Sequence, residues 1–264
     1  MLVLDNIVKI FNAGTVNEKI ALNGLSLTIN DGDFITVIGG NGAGKSTLMN
    51  AITGVFKVDS GSIVLDGEDI GHLPEYKRAK YFGRVFQDPM MGTAAGMQID
   101  ENMALALRKG QFRGLKWGVS REEREDYKAR LAELGLGLED RLTSKVGLLS
   151  GGQRQAVTLL MASLKRPKML LLDEHTAALD PKTAAKVLEI TDRIVGENNV
   201  TTLMITHNMK DAIEHGNRLI MMHEGRVIID VSGEAKKNLT VEELLSMFAK
   251  ASGGEFTSDR AMLS

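Results

Sequence analysis

The chain has 264 residues, 43% of them hydrophobic, which suits one large packed domain or two small ones rather than a disordered or fibrous chain. A formal net charge of −2 argues against a general nucleic-acid binder, and the lack of cysteine excludes disulfides and thiolate metal sites. No apolar run approaches the ~18 residues that span a bilayer, and the first residues lack a charged-then-apolar leader, so a cytoplasmic protein is expected. The five histidines, at 72, 175, 207, 215 and 223, show no ligand spacing, so any metal is expected to arrive with a bound ligand.

Residues 2–10 alternate apolar and polar, and 21–29 repeat the pattern after a polar turn at 12–19, so the chain opens on an antiparallel β layer. Residues 34–38 then read as a buried strand. They run into Gly39, Gly40, Asn41, Gly42, Ala43, Gly44, Lys45, Ser46 and Thr47. Leu48, Ile52 and Val55 fall on one face of a helix after this loop, and Gly54 is a plausible stop. Strand, loop and helix in this order, with the G-x-x-x-x-G-K-[ST] spacing, mark a phosphate-binding loop rather than a glycine-rich turn. The glycines let successive amides point inward, and the helix start adds its positive dipole end. Lys45 then reaches the β- and γ-phosphates, and the Ser46 hydroxyl meets Mg²⁺. With a nucleotide implied, Phe11 at the end of the first strand is either a stacking surface for adenine or a core aromatic.

Residues 62–65 with the Asp66–Gly67 turn form the next strand, and 83–86 another, which delivers Gln87, Asp88 and Pro89. The Gln87 carbonyl either reaches a metal or its water or faces solvent in a turn. From Met90 to about Arg166 the pattern becomes helical, with one run at 99–107 and a second opened by a Ser120-x-x-Glu123 capping box. Tyr127, Leu131 and Leu134 give that second helix its apolar stripe. The segment between them carries Arg108, Lys109, Arg113, Lys116, Phe112 and Trp117. It either lies near lipid headgroups, grips a membrane partner, or is an exposed basic loop.

Leu149, Ser150, Gly151, Gly152 and Gln153 lead into a helix whose apolar face is Ala156, Leu159, Leu160 and Leu164. Ser150 is a natural N-cap, and the serine with two glycines makes a second anion site at a helix start. One chain thus has two phosphate-binding ends and a single lysine-bearing loop, which suggests that the second serves a nucleotide held by another copy. Residues 169–172 read as a buried strand ending in Asp173 and Glu174, two acids that are costly there unless a cation is near. In nucleotide hydrolases of this loop type one such acid holds Mg²⁺ and another orients the attacking water. Asp180 and Pro181 start a helix running to Val195. Residues 201–205 form a strand ending at His207, which either donates to a γ-phosphate or is structural. A hairpin at 218–222 and 226–229 and a capped helix from Thr240 complete the pattern, and the Gly-Ser-rich end is expected to fray.

The order of these motifs resembles the nucleotide-binding subunit of the ATP-binding cassette transporters across nearly the whole chain, with the signature at 149–153 its most specific element. The resemblance implies an α/β fold: a P-loop NTPase core with an antiparallel β layer and an inserted α-helical subdomain. One cassette would comprise a core at 1–88 and 166–232, a helical subdomain at 89–165 and a C-terminal tail at 233–264. It implies that Phe11 stacks on adenine, that residues 39–47 cradle the phosphates, and that Ser46, Gln87 and Asp173 serve Mg²⁺. Glu174 resembles the general base and His207 the γ-phosphate switch. Ser150, Gly151, Gly152 and Gln153 would cap the nucleotide of a second cassette, with Asp180 coupling the two sites in a head-to-tail homodimer. His175 stands where the family usually has proline, and Gly40 where it often has another residue; neither removes a phosphate ligand.

The run at 135–142 and the basic Trp117 segment look like bacterial importer ATPases that work with a branched-chain-amino-acid-type permease and a substrate-binding lipoprotein. The expectation is an ATPase at the cytoplasmic face of the membrane, driving import of an amino-acid-like solute and taking ATP, Mg²⁺ and no nucleic acid. Three alternatives stand beside it. An exporter would keep the same cassette, a cassette acting on DNA or ribosomes would need a long coiled coil or a second cassette that the chain lacks, and a regulatory cassette would commonly lose Glu174.

Overall fold

The computed structural model describes residues 1–111 and 118–252. In chain order the elements begin β1 (Leu2–Phe11), β2 (Lys19–Ile29), β3 (Phe34–Ile38), α1 (Lys45–Thr53), β4 (Ser60–Leu65), β5 (Glu68–Asp69) and α2 (Glu75–Arg78). There follow β6 (Phe82–Val85), α3 (Ile99–Leu107), α4 (Arg121–Glu133), α5 (Gly151–Ser163), β7 (Met169–Asp173) and α6 (Pro181–Asn198). The chain then forms β8 (Thr202–Ile205), α7 (Met209–Glu214), β9 (Arg218–His223), β10 (Arg226–Ser232), α8 (Gly233–Lys237) and α9 (Val241–Ala251). The described residues pack as two compact units, one made of those in Met1–Ala79 and from Thr201 onward, the other of those in Lys80–Val200.

In the first unit the strands β2-β1-β4-β5 form the expected antiparallel layer. The Asp66–Gly67 turn, both residues at positive φ, joins β4 to β5 with Leu65 opposite Glu68. The strand β3 is buried at all five positions and runs parallel to both β8 and β9, while β10 returns antiparallel to β9. A continuous apolar run suits a parallel strand buried on both faces. Ile38 at the end of β3 shares a core with Leu219 and Met221 of β9 and with Leu244 and Phe248 of α9, so the C-terminal helix packs behind the strand that launches the loop.

The second unit holds the parallel pair β6 and β7, in register from Phe82 opposite Met169 to Val85 opposite Leu172, with the helices α3 to α6. The expected capping box of Ser120 with Glu123 is present, the expected N-cap Ser150 forms a further one with Gln153, and Tyr127, Leu131 and Leu134 are buried as the α4 stripe requires.

The differences from the sequence reading have local causes. Gly54 takes the left-handed conformation and closes α1, so Val55 lies beyond the helix and is 47% exposed instead of continuing its apolar face. Asn199, not Val195, ends α6: it adopts the left-handed cap and adds most of a turn. The short helices α2, α7 and α8 span four to six residues, too short to show a periodicity. Phe112 to Trp117, and the Gly-Ser-rich end, fall outside the described residues.

Candidate functional site

Each unit carries candidate site residues of its own at the carboxyl ends of its parallel strands, where open α/β sheets bind ligands. In the first unit β3 ends at Ile38 and the phosphate-binding loop follows. The neighbouring β8 ends at Ile205, and the Thr206 amide donates to the Val37 carbonyl at 3.1 Å, so half-buried His207 leaves the same end of the pair. The loop is held from behind by backbone. A Cβ at Gly39 would lie 2.3 Å from the Met222 carbonyl oxygen, and one at Gly44 2.5 Å from that of Ala21, so glycine is required at both positions by close approach. Gly225, in the turn between β9 and β10, donates its amide to the Ala43 carbonyl at 3.0 Å and accepts from the Asn23 amide at 3.0 Å.

Within the loop Gly39, Gly42 and Gly44 all have positive φ. Gly39, Gly40, Ala43 and Gly44 are buried, whereas Asn41, Gly42 and Ser46 are exposed and Thr47 is intermediate. Lys45 is 6% exposed, and its ammonium donates to the Gly39 carbonyl at 2.6 Å and the Gly40 carbonyl at 3.2 Å, which places it over the loop. No acidic side chain occupies the first turn of α1, so nothing there opposes an anion at its N-terminus. At the far end of α1, Arg78 is 2% exposed and donates to the carbonyls of Ala51, Ile52, Leu73 and Gly71. Two of those belong to the last turn of α1, whose carbonyls lack helical partners.

Phe11 is half-buried and meets Phe56 edge to face, with centroids 5.4 Å apart. Its strand end is fastened by Asp59, which accepts from the Ile10 amide at 2.6 Å and from Lys9 Nζ at 3.0 Å. The Ile10 amide first, then the Lys9 ammonium, hold the Asp59 carboxyl below its ordinary range.

In the second unit exposed Gln87 follows β6, and half-buried Asp173 ends β7. Arg84 Nη2 lies 3.4 Å from Asp173 Oδ2, and the guanidinium sits 4.6 Å from the Phe86 ring centroid. Glu174 has φ +47°, a left-handed conformation unusual for a non-glycine residue, and its carbonyl accepts from the Ala177 amide at 3.0 Å. His175 is 2% exposed and its Nε2 is 3.0 Å from the Thr191 hydroxyl of α6, a polar anchor where the family pattern has proline.

The structure brings the signature next to the start of α6. The Ser150 hydroxyl accepts from the Gln153 amide and Gln153 Oε1 accepts from the Ser150 amide, both at 3.3 Å, which satisfies the start of α5 reciprocally. A Cβ on Gly151 would meet Leu179 Cδ2 at 3.3 Å, and one on Gly152 would lie 2.0 Å from Thr183 Cγ2. Exposed Asp180 caps α6 through the Thr183 amide at 3.1 Å, and its bonds from Thr183, the hydroxyl first, lower its pKa.

Ser46, Gln87 and Asp173 offer hydroxyl, carboxamide and carboxylate oxygens, an all-oxygen donor set that fits magnesium and not a soft metal. The sequence reading did not identify Arg84, Arg78, Thr183 or Gly225. Thr183 was findable as the third residue after an aspartate N-cap, and Gly225 from its turn; the two arginines carry no local signal, because Arg84 meets Asp173, and Arg78 meets Ala51 and Ile52, only once the chain has folded.

Residues 22–177 match the family model described as ABC transporter. The chain is 49% identical over 251 residues to a tyrosine transport ATP-binding protein of Clostridioides difficile, covering 95% of this chain and 100% of that one. It is 33% identical to the spermidine/putrescine import ATP-binding protein PotA of Haemophilus influenzae and 34% identical to the methionine import ATP-binding protein MetN of Bartonella henselae, over 87% and 85% of this chain. It spans only 57% and 63% of those two longer relatives. Among solved structures, an ATP-binding cassette of an ABC transporter in its ADP conformation superposes with a TM-score of 0.75 at 30% identity, covering 94% of this chain and 98% of that one. A dimeric cassette in a post-hydrolysis state, bound to ADP and Pi, gives 0.74 at 29% identity over 88% of this chain and 98% of that one. With the fold, the phosphate-binding loop and the signature in place, the chain belongs to the ABC transporter family as an ATP-binding cassette, an ATPase subunit that binds ATP to drive transport.

Proposed function

We propose that this cassette powers import of an amino-acid-like solute through a separate integral-membrane permease fed by an extracytoplasmic binding protein, working at the cytoplasmic face of the membrane. The observation that carries the reading is the 49% identity to a tyrosine transport ATP-binding protein along that protein's whole length. The polyamine and methionine import relatives support the direction.

In this reading the cassette consists of a core at 1–88 and 166–232, a helical subdomain at 89–165 and a tail at 233–264. Phe11 stacks on adenine, and residues 39–47 wrap the phosphates with Lys45 on the β- and γ-phosphates. Ser46, Gln87 and Asp173 would hold Mg²⁺, which would supply charge neutralisation on the phosphates. Glu174 takes the proton of the attacking water, and His207 donates to the γ-phosphate. Ser150, Gly151, Gly152 and Gln153 close over the nucleotide of a second copy, with Asp180 beside them. ATP therefore joins two amide-lined surfaces, and hydrolysis lets them part.

The test is to purify the Glu174→Gln chain from native membranes in ATP and identify what comes with it. A permease and a binding lipoprotein are expected. Ribosomal or DNA-repair proteins with nothing from the membrane would overturn the import reading and leave the ATPase chemistry standing.

A further inference from the structure

Lys19, the first residue of β2, belongs to no motif, yet it stands between the two parts of the nucleotide site in the first unit. Its register partner across the antiparallel pair is Phe11, so the two side chains leave the same face of the layer side by side. Its ammonium reaches the tip of the phosphate-binding loop: a Cβ built on exposed Gly42 would lie 3.2 Å from Lys19 Nζ. The side chain therefore bridges from the aromatic ring to the loop.

The preceding hairpin fixes where this lysine starts. The Thr15 amide and hydroxyl both donate to the Asn12 carbonyl, Asn12 Nδ2 donates to the Asn17 carbonyl, and the Glu18 amide donates to the Thr15 carbonyl. The neighbouring acid, Glu18, is engaged by the Gly14 amide at 2.7 Å, so its charge is directed back into the turn. Lys19 itself is exposed, and its ammonium can move onto a ligand without losing a buried partner.

We propose that Lys19 is a second phosphate-binding cation of this site, reaching from β2 over the open side of the loop while Lys45 acts from within it. The inference rests on the reading of residues 39–47 as the phosphate cradle and adds to it a residue outside every motif. A flexible ammonium at a surface position acts as a point charge on a polyphosphate, so its share of the affinity is modest and screened by salt. A contribution near the upper end for exposed ion pairs corresponds to about a fivefold change in affinity.

The experiment measures binding of ADP, ATP and adenosine to the full chain by calorimetry, for wild type, Lys19→Ala, Lys19→Arg and Lys45→Ala, at low and high potassium chloride. Lys19→Ala is expected to weaken ADP and ATP about fivefold, to leave adenosine unchanged, and to flatten the salt dependence of ADP binding; Lys19→Arg is expected to restore all three. Unchanged ADP affinity in Lys19→Ala, or an equal loss for adenosine, would overturn the proposal, the second result pointing to packing at Phe11 instead of charge. If Lys45→Ala keeps wild-type ADP affinity, the phosphate-cradle reading fails and the Lys19 assignment goes with it.

Discussion

Gly152 shows how one residue can serve two demands. In the proposed reading its lack of a side chain leaves an amide face bare at the start of α5, and the same absence lets α5 lie against Thr183 of α6. A methyl at this position would have to push Thr183 aside by more than an ångström, and Thr183 is the residue whose amide caps onto Asp180. Gly152→Ala should therefore cost about 1–3 kcal/mol of stability as an overpacking change, read by thermal unfolding. Thr183→Ala in the same chain makes room for the methyl and should recover most of that loss. If ATP turnover stays low in the stabilised double variant, the bare amide face matters in its own right; if the double variant is no more stable than the single one, the steric account is wrong. The sequence assigned the signature glycine to a ligand. Its packing role was not, because Thr183 lies thirty-one positions away, and only the fold of α6 against α5 brings it near.

At the scale of elements, the proposed reading has α1 present its N-terminus to the phosphates, so what holds its other end sets how well that site is aimed. Arg78 does this from α2 by donating to four carbonyls, two of them in the last turn of α1. A buried guanidinium at a helix C-terminus also meets the negative end of the dipole, and burial is what lowers its pKa. Arg78→Met keeps much of the volume and leaves those carbonyls without their donor, for an expected loss of about 3 kcal/mol in denaturant unfolding. Nucleotide affinity should weaken with it. A variant as stable as wild type would mean that other donors or water satisfy the end of α1. No sequence pattern pointed to this arginine: α2 is four residues long, and its four acceptors come from two other segments.

At the scale of the whole molecule, the two helix starts proposed to bind anions differ in one respect, since of the two only the loop before α1 carries a lysine. In the proposed reading two copies pair head to tail, each loop facing the other chain's signature. The Glu174→Gln chain should then run at twice its monomer mass in ATP and as a monomer without it, by size exclusion with light scattering. Binding that favours the closed pair stabilises it by mass action, so the ATP-bound form should also melt higher. A monomer in saturating ATP would remove both the general-base assignment and the paired arrangement.

The motifs needed no structure to be read. A phosphate-binding loop, a signature and an acid pair are local, because each is a run of a few consecutive residues whose spacing can be read without knowing what they pack against. Strand periodicity was equally local, and β3 came out at the limits its apolar run suggested. Tertiary packing alone decided which residues support those motifs: Gly225 behind the loop, Arg78 under α1, Thr191 against His175, and Arg84 beside Asp173. Each of these joins segments from different parts of the chain, and such a contact leaves no trace in the spacing of either segment until the backbone has folded and brought the two together.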